Sequence, residues 1–156
     1  MNIPFKIQLS TKLKEIADFR IVRFQDKKLQ YPEPHWYVLI PTDSSHFLIA
    51  IITSQAAKRK EYYKRTFKPK AVVSLVKINN DDFGFLKRGK DSVVECNQVE
   101  YLSIQEIIHR VEEDKGFEIE KEQVPAYLKK EVVSAINNSP IVKPFMKKLA
   151  IAANPI

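Results

Sequence analysis

The stretch that most constrains this chain is His35–Thr53. His35-Trp-Tyr-Val-Leu-Ile-Pro41 is aromatic and β-branched, Thr42-Asp-Ser-Ser45 supplies turn residues, and His46-Phe-Leu-Ile-Ala-Ile-Ile-Thr53 is apolar again. Two such runs around a short polar turn predict an antiparallel hairpin. Neither run alternates apolar with polar, so neither face can be left to water. The hairpin must be central, in a sheet that curls on itself or is covered on two sides. With Thr42–Ser45 as a four-residue loop, Pro41 pairs with His46 and His35 falls opposite Ile52. A register moved by one residue sets His35 directly against Thr53.

Other runs extend the pattern. Phe19–Phe24, Ala71–Ile78 and Ser92–Tyr101 read as strands, with Asn79-Asn-Asp-Asp82 and Lys87–Asp91 as the turns between the last two. Leu9, Leu13, Ile16 and Ala17 have helical spacing, with Ser10 or Thr11 as N-cap. Ser103-Ile-Gln-Glu106 is a capping box opening a helix over Ile104, Ile107, Ile108 and Val111, stopped by Gly116. A second helix follows Pro125 and ends near Asn137–Pro140; a shorter third spans Lys143–Ala153. The expected class is α+β and β-rich: a small barrel or strongly bent antiparallel sheet, with a short N-terminal helix and C-terminal helices. Its 156 residues make one domain. Residues 1–30 read as an N-terminal extension, 31–102 as the β core and 103–156 as a helical part.

Several chemistries are excluded. With 3 glycines and neither G-x-x-x-x-G-K-[ST] nor G-x-G-x-x-G, the common nucleotide loops are missing. Cys96 is the single cysteine, so neither an internal disulfide nor a thiolate cluster can form. No H-x-x-x-H or H-E-x-x-H occurs, and neither a metal nor another cofactor is expected. The apolar run Phe47–Ile52 is far too short to span a bilayer, and Met1–Lys6 lacks the pattern of a signal peptide. No membrane partner is expected, and cytoplasmic localisation follows by default.

Charge gives the positive signal. Lys58, Arg59, Lys60, Lys64, Arg65, Lys68 and Lys70 face one acid, Glu61, so this segment holds six of the chain's +7 net charges. Read as a loop, it attracts polyanions by steering and counterion release. Tyr62, Tyr63 and Phe67 interleave with the cations, as rings that stack unpaired bases do. Core anchoring is the competing role for these rings. The RNA-binding candidates are Lys58, Arg59, Lys60, Tyr62, Lys64 and Arg65. Directly before them, Thr53-Ser54-Gln55 offers donors for phosphoryl oxygens. His35 brings an imidazole with an ordinary pKa of about 6.5 to the same end of the hairpin. His35, Thr53, Ser54 and Gln55 are therefore the candidate catalytic group. Cys96, mid-strand with no adjacent cation, reads as buried and inert.

Trp36–Ile40, Ile51-Ile-Thr-Ser-Gln55 and Ser92-Val-Val-Glu-Cys-Asn-Gln-Val99, followed by Leu102-Ser-Ile-Gln-Glu106, together resemble the PemK/MazF-like toxins of bacterial toxin–antitoxin systems. The likeness covers about residues 35–110. It implies an SH3-like small barrel, a homodimer, an antitoxin partner and metal-independent cleavage of single-stranded RNA by attack of the 2′-hydroxyl on the adjacent phosphate. In that family an arginine and a threonine carry the site. Thr53 matches the threonine, whereas His35 stands at the arginine's place. Two alternatives differ in class: a non-catalytic nucleic-acid-binding module, and a protein-interaction domain whose cations serve solubility.

Overall fold

In a computed structural model the described residues are 3–29, 33–66, 68–79, 81–86 and 91–155. Helix α1 (Ile3–Lys14) leads into β1 (Arg20–Phe24), then β2 (His35–Pro41) and β3 (His46–Thr53). Helix α2 (Ala56–Arg65) and a 3-10 turn (Pro69–Ser74) precede β4 (Leu75–Lys77), β5 (Val93–Glu95) and β6 (Glu100–Ser103). Next come α3 (Ile104–Arg110), a 3-10 turn (Glu113–Lys115), β7 (Phe117–Ile119), α4 (Ala126–Asn138) and α5 (Pro144–Ala153). The seven strands form one antiparallel sheet in the order β4-β5-β3-β2-β1-β7, with β6 also on β3. No ladder among the described residues joins β4 to β7. The sheet is open, the bent form of the two expected, and not a closed barrel. It draws on both flanks of 31–102, taking β1 from one and β7 from the other.

The hairpin's double apolarity is explained by cover on two sides. Val38, Ile40, Leu48, Ala50 and Ile52 face α4 and α5, meeting Leu128, Val132, Val133, Ile136 and Ala150. Tyr37, Leu39, Phe47 and Ile49 face α1 and α3, meeting Leu9, Leu13, Ile104, Ile107 and Ile108. Alternate residues thus serve opposite cores, as the two-residue period of a strand requires. Each fully buried aliphatic chain contributes about 1.5–3 kcal/mol of transfer free energy, so both layers are fastened through the same backbone.

The segment Ser92–Tyr101 is not one strand. Ile52 pairs with Val94, but Ile49 pairs with Glu100. Ala50 and Ile51 therefore face five residues, Glu95–Val99, and the three extra ones form a wide bulge between β5 and β6. Bulges bend a sheet and increase its twist. The expected strand Ala71–Ile78 is shortened in the same region: Pro69 starts a 3-10 turn that runs to Ser74. Helix α1 starts at Ile3, well before Ser10 and Thr11, so neither caps it. Helix α3 ends at Arg110, and Gly116 takes its positive φ of 79° after the following 3-10 turn.

The capping box forms as expected. Glu106 N–H donates to Ser103 Oγ at 3.1 Å, and Ser103 N–H donates to Glu106 Oε1 at 3.0 Å. Ser103→Ala should lower stability by about 1 kcal/mol. Urea titration should show the midpoint falling with an unchanged slope; an unchanged midpoint would leave the box without energetic weight.

Candidate nucleic-acid interface

The β2–β3 turn is one residue longer than expected. Asp43 Oδ1 accepts from Ser45 N–H at 2.8 Å and lies 3.1 Å from His46 Nδ1, drawing His46 into the turn. Pro41 consequently pairs with Phe47, and the ladder runs to Trp36↔Ile52. One step further, His35 stands across from Thr53, on the sheet face that carries α1 and α3. Their same-face neighbours Tyr37, Leu39, Phe47 and Ile49 are buried, yet His35, Ile51 and Thr53 are only partly covered. Thr53 Oγ1 accepts from Gln55 N–H at 3.1 Å, turning the chain through Ser54 and Gln55 into α2. No hydrogen bond joins His35 to Thr53. His35 Nε2 is buried and unpartnered. Burial holds the imidazole below its ordinary pKa of 6.5, against the opposite pull of Glu33 and Asp26. It is neutral at pH 7.

From Lys58 to Arg65 the cationic segment is a helix, not a loop. Ala, Lys, Arg and Glu are strong helix formers, and the run Ala56-Ala-Lys-Arg-Lys-Glu61 satisfies that preference. Periodicity now sorts its residues. Lys58, Tyr62 and Arg65 share one stripe, Lys60 and Lys64 another, and Arg59 and Tyr63 turn inward. Among the described residues, Lys58, Lys60, Lys64 and Arg65 are exposed without an acidic partner, and Lys68 and Lys70 continue the exposed charge. Tyr62 is 42% exposed, edge-on to Tyr63 at 5.3 Å. Tyr63 is fully buried among Ala56, Ala71, Leu75 and Val93, so it is a core anchor. Phe67 lies outside the described residues. Val93 is the register partner of Thr53, which puts α2 on the same sheet face as His35 and Thr53.

A buried carboxylate holds this helix. Glu95, fully buried in the β5 end of the bulge, accepts from Tyr63 Oη at 2.8 Å and lies 3.6 Å from Arg59 Nε. Asn97 donates to Glu95 Oε1 through both its N–H and Nδ2, each at 3.0 Å. Asn97 Nδ2 also reaches the Ala71 carbonyl at 2.7 Å, and Ser139 Oγ donates to Asn97 Oδ1 at 2.8 Å. Burial and the neighbouring Glu95 push the Tyr63 phenol up to about 12, against a hydrogen bond from Gln98. An isolated buried charge is expensive, so this one must be paired and hydrogen-bonded. The sequence signal was a glutamate inside Val-Val-Glu-Cys, out of place in an apolar strand unless it meets a cation.

A second charged cluster escaped the sequence reading. Asp26, buried, takes a bidentate contact from Arg110 and a 3.0 Å hydrogen bond from Tyr37 Oη. Arg110 Nη1 and Lys28 Nζ meet Glu100 Oε2 at 2.8 and 2.9 Å. Arg110 is spent on these acids. Burial would raise the Asp26 carboxyl, but hydrogen bonds from Arg110, the Lys28 N–H and Tyr37 outweigh it and hold it below the usual range. Cys96 is buried, and burial with Glu95 beside it pushes its thiol far up, as expected of an inert residue. His46 stacks on Tyr101 at 5.1 Å, remote from His35 along the hairpin. Among the described residues, no group of three or more His, Cys, Asp or Glu could hold a metal ion, and no helix is long and apolar enough to cross a membrane.

No protein-family model, curated protein or solved structure matches the chain.

Two outcomes follow from the buried groups. The native protein should resist a thiol reagent at Cys96 and react only in denaturant; rapid native labelling would place the thiol at the surface. Asp26 has a depressed folded pKa, so its stabilisation is present above about pH 4, the unfolded value, and is lost as pH falls through the folded value. Asp26→Asn should flatten the acid limb of a stability–pH profile, and an unchanged limb would remove Asp26 from the acid transition.

Proposed function

We propose that this domain binds single-stranded RNA along the outer face of α2. The observation that carries this reading is the set of exposed cations Lys58, Lys60, Lys64 and Arg65 with no acidic partner among the described residues. Lys60 and Lys64 stand at i and i+4, a like-charge pair that weakens a helix by about 0.2–0.5 kcal/mol. A phosphate backbone removes that cost. Tyr62, flanked by Lys58 and Arg65, offers an exposed ring on which an unpaired base stacks, worth roughly 1–3 kcal/mol. The Glu95 network turns Arg59 and Tyr63 inward and the remaining cations outward. The choice of RNA over DNA draws on the PemK/MazF-like resemblance of residues 35–110.

A second reading, the metal-independent endoribonuclease with its antitoxin and homodimer, is favoured by the His35–Thr53 juxtaposition. A neutral imidazole can take the 2′-hydroxyl proton while the 2′-oxygen attacks phosphorus, the bond from phosphorus to the 5′-oxygen breaks and that oxygen takes a proton from solvent, giving a 2′,3′-cyclic phosphate and a 5′-hydroxyl. Thr53 Oγ1 and the Ser54 and Gln55 amides supply donors to the phosphoryl oxygens in this scheme. Nε2 is buried, so in this scheme the proton goes to Nδ1 or the ring turns outward.

Fluorescence anisotropy with single-stranded RNA over a salt series tests the first reading. Replacing Lys58, Lys60, Lys64 and Arg65 by Ala should abolish binding, and each single change should reduce the slope of log K against log salt by about 0.7. Arg59 is kept, because its loss would strip a buried carboxylate of its cation. Binding that survives the quadruple change excludes α2. Cleavage in chelator, lowered about 10²–10⁴-fold by His35→Ala, would support the second reading; retention without cleavage leaves the binder. The pH–rate limb should then lie below 6.5, on the side to which His35 is shifted.

A further inference from the structure

Helix α5 sends Met146, Leu149, Ala150 and Ile151 to the core it shares with α4, but Phe145 stands outside that core, 48% exposed. Phe145 meets Tyr101 of β6 edge-on at 5.8 Å, and Tyr101 stacks on His46. Three partly exposed rings thus gather where α5 begins. Cations flank them. Lys148 is a surface neighbour of Phe145 at i+3, and Lys143 is the N-cap residue two positions before it. The segment Ser139–Ile156 holds Lys143, Lys147 and Lys148 and no acid. None of these three lysines has an acidic partner among the described residues. Glu100, next to Tyr101, is held by Arg110 and Lys28, and Asp43 is bonded to His46 and the Ser45 N–H.

This surface joins the one on α2. Ile141 packs against the cluster of Ala56, Tyr63, Ala71, Leu75 and Val93, and its N–H donates to Ser139 Oγ at 3.1 Å. Gln98, exposed in the bulge, donates through Nε2 to Tyr63 Oη at 3.4 Å. The chain enters α2 just after Thr53, the partner of Val93, and the rings gather at Tyr101, the partner of Leu48. Those two points of β3 are about 17 Å apart by the rise of a strand. Roughly five nucleotides cover that length at the phosphate spacing of a stacked strand.

We propose, on the strength of the RNA reading of α2, that the same single strand passes the bulge at Gln98 and stacks a further base on Phe145, with Lys143 and Lys148 on its phosphates. Exposed rings with unpaired cations on either side suit a base and its phosphates together, whereas an acidic peptide uses the cations alone. A duplex keeps its bases stacked inside, so this platform, like Tyr62, selects an unpaired strand.

The test is fluorescence anisotropy of the full chain with labelled tetrauridylate and dodecauridylate. Phe145→Ala should weaken the dodecamer about tenfold and leave the tetramer, too short to reach both platforms, within about twofold; Phe145→Trp should keep the dodecamer affinity. Lys148→Ala should lower the salt slope by about 0.7 for the dodecamer only, a readout that leaves the Phe145–Tyr101 packing untouched. The quadruple α2 change separates the two readings. If it abolishes binding while Phe145→Ala and Lys148→Ala bind the dodecamer like wild type, the strand ends at α2 and this inference falls alone. If wild type binds neither oligonucleotide, or dodecamer binding survives the quadruple change, the α2 reading falls and takes this one with it. A glutamate dodecapeptide that binds wild type as tightly as the dodecamer, and loses that affinity in Phe145→Ala, would assign the surface to an acidic protein segment and overturn the proposal.

Discussion

The two-sided burial of the β2–β3 hairpin is the constraint on which the remaining structure depends. A strand with one wet face can tolerate a missing layer, but Val38, Leu39, Ile40, Leu48 and Ile49 cannot, because successive residues serve opposite cores. Both helical layers must therefore arrive for either strand to be stable. That explains why so compact a sheet recruits helices from both ends of the chain. α1 comes from the N-terminal side and α4 and α5 from the C-terminal side. It also explains how exposure at the sheet's end carries information. Where the α1–α3 cover stops, His35, Ile51 and Thr53 emerge from an otherwise dry face.

The Glu95 carboxylate does for charge what the hairpin does for apolar surface. It converts a helix with many cations into one with a defined inner and outer side. Tyr63 and Arg59 point inward to it, and the rest of the charge is left for solvent or a polyanion. Its remaining partners reach it from the bulge through Asn97, and Ser139 at the end of α4 braces that asparagine. The arrangement couples the α4 layer to the cationic helix through polar contacts. Buried networks of this sort are costly when half satisfied, which makes them rigid when complete.

Much of this was legible from residue patterns. The hairpin, the Ser103 capping box and the two C-terminal helices follow from local periodicity and cap chemistry. These are short-range signals that the tertiary fold leaves in place. Other features were not legible for physical reasons. Charge density in Lys58–Lys70 suggested a loop, while the helix preference of Ala56–Arg65 decided that part of the backbone. Glu95, Tyr63, Asn97 and Ser139 belong to different elements, and nothing local in any of them announces the others. The Asp26–Arg110 pair is hidden in the same way, spanning 84 positions. The register of His35 against Thr53 hinged on Asp43 gathering His46 into the turn, a single side-chain bond that moves the whole ladder by one residue.

The bulge between β5 and β6 has a consequence for how this chain can vary. Its three surplus residues are an odd number, so the facing of side chains is inverted across it. Val94 looks towards α4, whereas Leu102, also even-numbered, looks towards α1 and α3. A one-residue deletion within Cys96–Gln98 would restore uniform alternation and, with it, rotate Glu100–Ser103 to the wrong layer. Leu102 and Tyr101 would exchange layers, each leaving the core it now packs against. Sequences descended from this fold should therefore keep the length of that segment more strictly than its composition, a rule opposite to the one that governs ordinary surface loops.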